Sequence, residues 1–140
     1  MKILLAVDGS AYTQKMLAYL TSHQEMLGTG HEYTIITVQP LLPPRARAAL
    51  GKEVVDQYYD EESAKILQPV LEFLKGRGVE AQSISKVGPI ADTIIHAAQD
   101  GKFDLIAMGT HGHGALGRLV MGSVSSQVLA GCTIPVLLIR

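Results

Sequence analysis

The chain has almost no cysteine: Cys132 is the single one in 140 residues. An intrachain disulfide is thereby excluded, as expected for a reducing compartment. Cys132 itself reads as a small buried side chain beside the last strand. A strong charge of either sign is also missing. Net charge is −1 at neutral pH with 18% of residues charged, which excludes a global basic surface for nucleic acid or for an anionic membrane. Long hydrophobic runs are lacking too. The run that opens at Ile3 stops at Asp8, too short for a signal-peptide core or a membrane span, and this predicts a cytoplasmic location. No repeat, low-complexity tract or linker interrupts the chain. With 47% apolar residues, residues 1–140 are expected to form one soluble domain around a full core.

One absence is local. From Leu105 to Arg140 there is no Asp or Glu, whereas His111, His113, Arg118 and Arg140 all fall there. An anion would meet a favourable field in that stretch. Within it stand Gly109-Thr110-His111-Gly112, then nine residues, then Gly122-Ser123. This segment follows a short apolar strand and ends where a helix should begin. Bare backbone N–H groups, glycines that admit a ligand closely and the positive end of a helix dipole would together cradle a phosphate without a lysine.

Elsewhere, apolar runs of strand length alternate with stretches of helical period, the pattern of parallel βαβ units. Five strands are predicted, over Lys2–Val7, Tyr33–Val38, Glu80–Ser85, Leu105–Met108 and Val136–Ile139. The polar third strand is an edge candidate, and Pro135 introduces the fifth from its first position. Ser10 is a plausible N-cap for a first helix that carries Leu17 and Leu20 and ends at Gly28 to Gly30. Pro40, Pro43 and Pro44 mark an irregular segment with Arg45 and Arg47, the longest loop. A helix from Lys52 or Glu53 keeps its stripe (Ile66, Leu67, Val70, Leu71, Leu74) across Pro69, which predicts a kink and not a break. Gly88-Pro89 opens the next helix with proline at its first position, and Asp100-Gly101 closes it. A short helix over Ser123–Ala130 should end on a left-handed Gly131. The fold class is therefore α/β: a three-layer sandwich with a five-stranded parallel sheet in the order 3-2-1-4-5 and helices on both faces. In that order Asp8 and Gly109 meet at the topological switch point, outside the carboxyl ends of the strands, where ligands sit.

Other chemistry fits less well. Gly112-His113-Gly114-Ala115-Leu116-Gly117 satisfies GxGxxG, but it follows the fourth strand and has no carboxylate downstream for a ribose. Gly51-Lys52 and Gly101-Lys102 precede Glu53 and Phe103, so no Walker lysine exists. His111 and His113 would share a side of an extended segment, as a zinc or copper pair does, yet third and fourth ligands are not evident, and metal is not expected. Asp8 has no Ser or His partner at a telling spacing; it reads as an acceptor for a nucleotide edge or as a turn former. Ser123, Ser125 and Ser126 read either as helix-start residues or as phosphate ligands. With no nucleophile-activating pair and no acidic cluster for magnesium, binding is expected over turnover, with hydrolysis slow at most.

Gly109-x2-Gly112-x9-Gly122-Ser123 resembles the universal stress protein family, whose nucleotide-binding members carry G-x2-G-x9-G-[S/T]. The similarity extends over the whole chain: the Asp8-Gly9-Ser10 turn, the Gly88-Pro89 helix opening, Asp104-Leu105-Ile106 and the Pro135-Val-Leu-Leu-Ile end. It implies a homodimeric stress-response regulator that binds ATP, or AMP or ADP, with Mg2+ left open as an ion that accompanies the nucleotide. By position it puts Asp8 and the Val38 backbone against adenine or ribose, and Met108 and Gly109 beside the sugar. Gly112, His113, Gly122, Ser123, Val124 and Ser125 would lie against the phosphates. His113 stands where many relatives carry Arg or Lys, which opens a preference for AMP or ADP. A slow ATPase or nucleotidyl transferase, and a nucleotide-free adaptor, are the alternatives; relatives without nucleotide generally lack the glycine motif. The apolar fifth strand, at the sheet edge with no charge from Val136 to Ile139, is expected to pair with its two-fold mate across Ile134–Ile139. No nucleic acid or membrane partner is expected, and any client protein is not readable.

Overall fold

Successive apolar residues at the start of the chain serve two different cores. Ile3, Leu5 and Val7 pack in one, and Leu4 and Ala6 in the other, because neighbouring side chains of a strand leave opposite faces of the sheet. Both faces must therefore be covered. The computed structural model describes residues 1–25, 28, 30–112 and 121–140. Its elements run β1 (Lys2–Ala6), α1 (Ala11–Ser22), β2 (Glu32–Gln39), α2 (Pro44–Leu50), α3 (Lys52–Lys75), β3 (Ala81–Val87), α4 (Ile90–Asp100), β4 (Leu105–Gly109), α5 (Ser123–Gly131) and β5 (Val136–Ile139). All strand pairs are parallel, in the order β3-β2-β1-β4-β5. Met16, Leu17 and Leu20 of α1 join Leu67, Val70 and Leu74 of α3 on one face. Ala91, Ile94, Ile95 and Ala98 of α4 join Val128 of α5 on the other. The predicted three-layer sandwich is observed, with β3 at one edge and β5 at the opposite one.

Several local expectations need correction. The segment after β2 is not wholly irregular, for Pro44–Leu50 is a helix. Pro44 takes its first position, where the missing N–H costs nothing, and Arg45, Ala46, Arg47, Ala48, Ala49 and Leu50 are strong helix formers. Gly51, at φ +81°, ends it, and the amide of Leu42 donates to the Tyr59 hydroxyl at 2.9 Å, which ties the preceding coil to α3. The first helix stops at Ser22, well before Gly28. There the Ser22 hydroxyl donates to the Tyr19 carbonyl and His23 Nδ1 lies 2.7 Å from the same oxygen, so side chains satisfy a carbonyl that another turn would have used.

Pro89 is the N-cap of α4 and not its first helical residue. Gly131 is not a left-handed terminator but the last helical residue of α5. Its missing side chain makes room for Ile95 of α4, whose Cδ1 would lie 2.9 Å from a Cβ there. As predicted, α3 continues through Pro69 without a break. Ser10 is the N-cap of α1, although its hydroxyl makes no capping bond.

Candidate functional site

The innermost strand ends early. Ala6 pairs with Ile36 of β2 and with Met108 of β4, and β1 goes no further, while β2 runs on to Gln39 and β4 to Gly109. A notch opens at the carboxyl edge of the sheet. Just past β1 the Val7 amide still donates to the Ile36 carbonyl at 2.9 Å, whereas the Gln39 carbonyl accepts from Gly88 on the opposite side of β2. Backbone polar groups alternate in direction along a strand. Val38, two residues beyond Ile36, therefore turns its N–H and C=O toward the notch.

Asp8 stands at the foot of this notch. Its Oδ1 accepts from the Ser10 amide at 2.9 Å, the turn-forming bond anticipated for an Asx residue, and from the Thr13 hydroxyl at 3.0 Å. The Thr13 oxygen in turn accepts from the Asp8 amide at 3.1 Å. One buried threonine thus holds both the backbone and the carboxylate of Asp8. A Cβ on Gly112 would collide with Asp8 Oδ2, so the absence of a side chain at position 112 lets the β4–α5 connection approach the carboxylate.

The opposite wall is built around Thr110. Its amide donates to Ile139 of β5 at 3.0 Å, and its carbonyl accepts from the Gly122 amide at 2.7 Å and from the Ser125 hydroxyl at 2.7 Å. Both sides of the segment between positions 112 and 121 are thereby fastened together. Gly122 is the N-cap of α5, so the first amides of that helix, with Ser123 and Val124, open toward the same space. The Ser126 hydroxyl is spent locally on the Gly122 carbonyl. His111 Nδ1 lies 2.9 Å from the Thr110 hydroxyl, and its ring lies 4.9 Å from that of Tyr12.

Together these groups enclose a cavity of about 440 Å³. Asp8 and Val38 line one side of it, Met108, Gly109 and Gly112 the second, and Gly122, Ser123, Val124 and Ser125 the third. Every described site residue expected from the sequence is brought to this one space; His113 and the glycines 114 and 117 of the GxGxxG match lie outside the described residues. Several lining residues were not anticipated. Ile90 and Ile94 supply apolar surface from α4, Gln39 and Pro40 close the end of β2, and Thr13 reaches in from α1. Thr13, close in sequence to Asp8, and Gln39 and Pro40, which follow Val38, had a local signal; Ile90 and Ile94 arrive through topology alone. Asp8 is the single carboxylate among the described lining residues, and two donors already engage its Oδ1. The described lining residues therefore provide no carboxylate cage for Mg2+. Among the described residues no three His, Cys, Asp or Glu side chains gather as a metal site, and no helix is long and apolar enough to cross a membrane.

Comparisons with known proteins agree on kinship. A family model described as "Universal stress protein family" matches residues 1–140. Universal stress protein YxiE of Bacillus subtilis is 30% identical, over 99% of this chain and 98% of its own length. Universal stress protein Slr1230 of Synechocystis is 32% identical over 99% of this chain, which spans only 42% of that longer protein. Among solved structures, hypothetical protein MJ0577 of Methanocaldococcus jannaschii superposes with a TM-score of 0.83 at 24% identity, covering 99% of this chain and 94% of the other. A universal stress protein family protein of Arabidopsis thaliana with AMP bound gives a TM-score of 0.72 at 15% identity, covering 99% and 90%.

Proposed function

The chain belongs to the universal stress protein family, and from that premise we propose that it binds an adenine nucleotide in the notch between β2 and β4 and acts as a regulator through that binding. The observation that carries the reading is the pairing of two complementary features across one cavity. Val38 turns a donor and an acceptor of the sheet edge toward it, and α5 presents its N-terminal amides from the other side. Adenine offers an acceptor at N1 beside a donor at N6, which suits the Val38 backbone, while Ile90, Ile94 and Met108 give its faces apolar contact. Phosphates suit a helix start flanked by Gly112, Gly122 and Ser123. Asp8 would accept from a ribose hydroxyl. The AMP held by the Arabidopsis relative supports the choice of ligand.

Titration calorimetry with AMP, ADP, ATP and GTP is the test. Adenine nucleotides should bind and GTP should bind more weakly; silence toward all three adenine nucleotides would overturn the reading. Binding rather than turnover is favoured because Asp8, the one carboxylate among the described lining residues, is held as a hydrogen-bond acceptor by the Ser10 amide and the Thr13 hydroxyl. ATP hydrolysis should stay far below the ~10 s⁻¹ of a median enzyme. Asp8→Ala separates the two roles: rapid phosphate release by the unaltered protein that vanishes in the variant would establish an enzyme.

The assembly follows from β5. It lies at the sheet edge, and Val136, Leu137 and Leu138 are only half buried within one chain. Pairing of two β5 edges about a two-fold axis would satisfy their backbones and cover these side chains. Val136→Lys with Leu138→Lys should yield monomers or insoluble protein. Sedimentation of the unaltered chain as a monomer at micromolar concentration would refute the dimer.

A further inference from the structure

Two buried hydroxyls, Thr13 and Ser125, border the cavity, and each is engaged in hydrogen bonds within the protein. Thr13 is 5% exposed and Ser125 is 2% exposed. A hydroxyl has one proton to give. Thr13 directs its proton to Asp8 Oδ1 and uses its oxygen on the Asp8 amide. Ser125 has two carbonyls in reach, Thr110 at 2.7 Å and Gly122 at 3.1 Å, and the closer one is the oxygen that also accepts from the Gly122 amide. A proton held there is not offered to a phosphate. The resemblance places Ser125 among the phosphate ligands; its geometry gives it a different task, to fix the angle between the end of β4 and the start of α5.

We propose that Thr13 and Ser125 are positioning residues with separate jurisdictions: Thr13 sets affinity for the nucleoside by holding Asp8, and Ser125 sets affinity for the phosphates by holding Thr110 against Gly122. The proposal rests on the adenine-nucleotide reading of the cavity. Its physical basis is that losing one of the buried hydrogen bonds that hold a group loosens its direction and removes part of the compensation for its desolvation. The two anchors share no atoms. Asp8 is bound to the first through the turn that opens α1, and Gly122 to the second through the N-cap of α5.

The experiment compares adenosine, AMP and ATP binding by calorimetry in Thr13→Val, Thr13→Ser, Ser125→Ala and Ser126→Ala, alongside amide hydrogen exchange of the ligand-free proteins. Thr13→Val should weaken adenosine on the order of tenfold and carry the same loss into AMP and ATP, with Thr13→Ser restoring it. Exchange at the Ser10 amide, which donates to Asp8, should quicken. Ser125→Ala should leave adenosine within about twofold of the unaltered protein while cutting the gain from adenosine to ATP on the order of tenfold, with faster exchange at the Gly122 amide. Ser126→Ala should change neither.

A loss of the ATP gain in Ser125→Ala with Gly122 exchange unaltered would mean that the hydroxyl touches phosphate directly, and would overturn its positioning role. Equal losses for adenosine and ATP in Ser125→Ala, or unchanged affinities in either variant, would also overturn the proposal. If the unaltered protein binds none of the three compounds, the nucleotide reading falls and takes this one with it. That result is distinct from binding that is intact in the unaltered protein and insensitive to both substitutions.

Discussion

The connection after β4 and the turns that flank α3 both depend on glycine, for opposite physical reasons. Gly51 and Gly78 have φ of +81° and +75°, with nothing within 4 Å of where a Cβ would stand. They are needed for backbone conformation, and space around them is ample. Gly109, Gly112 and Gly122 have no such φ, yet a Cβ on Gly109 would lie 2.7 Å from that of Tyr12, and one on Gly122 would lie 3.3 Å from both His111 Cα and the Thr110 oxygen. The motif glycines are thus required first by the protein's own packing. From the sequence they read as gaps that let a ligand approach. The structure adds that they let three pieces of chain approach one another, and the cavity is what this close packing leaves.

The largest effect should come from Gly122→Val. A branched side chain there presses on the chain at Thr110 and His111, so beyond abolishing nucleotide binding it should destabilise the fold by about 1–3 kcal/mol, a typical cost of overpacking. Denaturant unfolding together with calorimetry checks both parts. A variant that binds adenine nucleotides as well as the unaltered chain would show that the cradle is elsewhere.

Gly112→Ala sharpens the comparison. If its cost arises from collision with the Asp8 carboxylate, the cost should shrink in an Asp8→Ala background, with a coupling of more than about 0.5 kcal/mol in the double-mutant cycle. Strict additivity would place the obstruction somewhere else.

Gly78→Ala should have the smallest effect, about 1 kcal/mol of stability from the unfavourable left-handed backbone, with nucleotide affinity untouched. A change in affinity there would break the division between the two kinds of glycine.

Much of this molecule could be read from its residues. The five strands and their order follow from apolar runs and from the alternation that forces crossovers, and the glycine spacing after β4 directs attention to the carboxyl end of the sheet, where the described motif residues line one cavity. Short-range signals failed where two rules competed. Around Pro43 and Pro44 the punctuation of proline outweighed six good helix formers behind it, although Pro44 before them and Gly51 after them fit helix boundaries well. Gly131 looked like a terminator because nothing local reveals that Ile95 needs its empty space. The roles of Thr13 and Ser125 depend on where their protons go, and that is decided by partners the chain brings near only after folding. The contribution of Ile90 and Ile94 likewise comes from α4, which passes beneath the cavity in covering the second face of the sheet.

The early end of β1 has a further consequence. An adenine seated against Val38 would occupy the position of the strand's missing next residues, pairing with the exposed edge of β2 much as a peptide would. Ligand and strand would then be rivals for one place. On the adenine-nucleotide reading, extending β1 by two residues would complete the sheet and fill the proposed site in the same act, so a variant selected for heat resistance alone would be drawn toward losing that site. On that reading, the unfinished centre of the sheet would be a standing compromise between rigidity and binding.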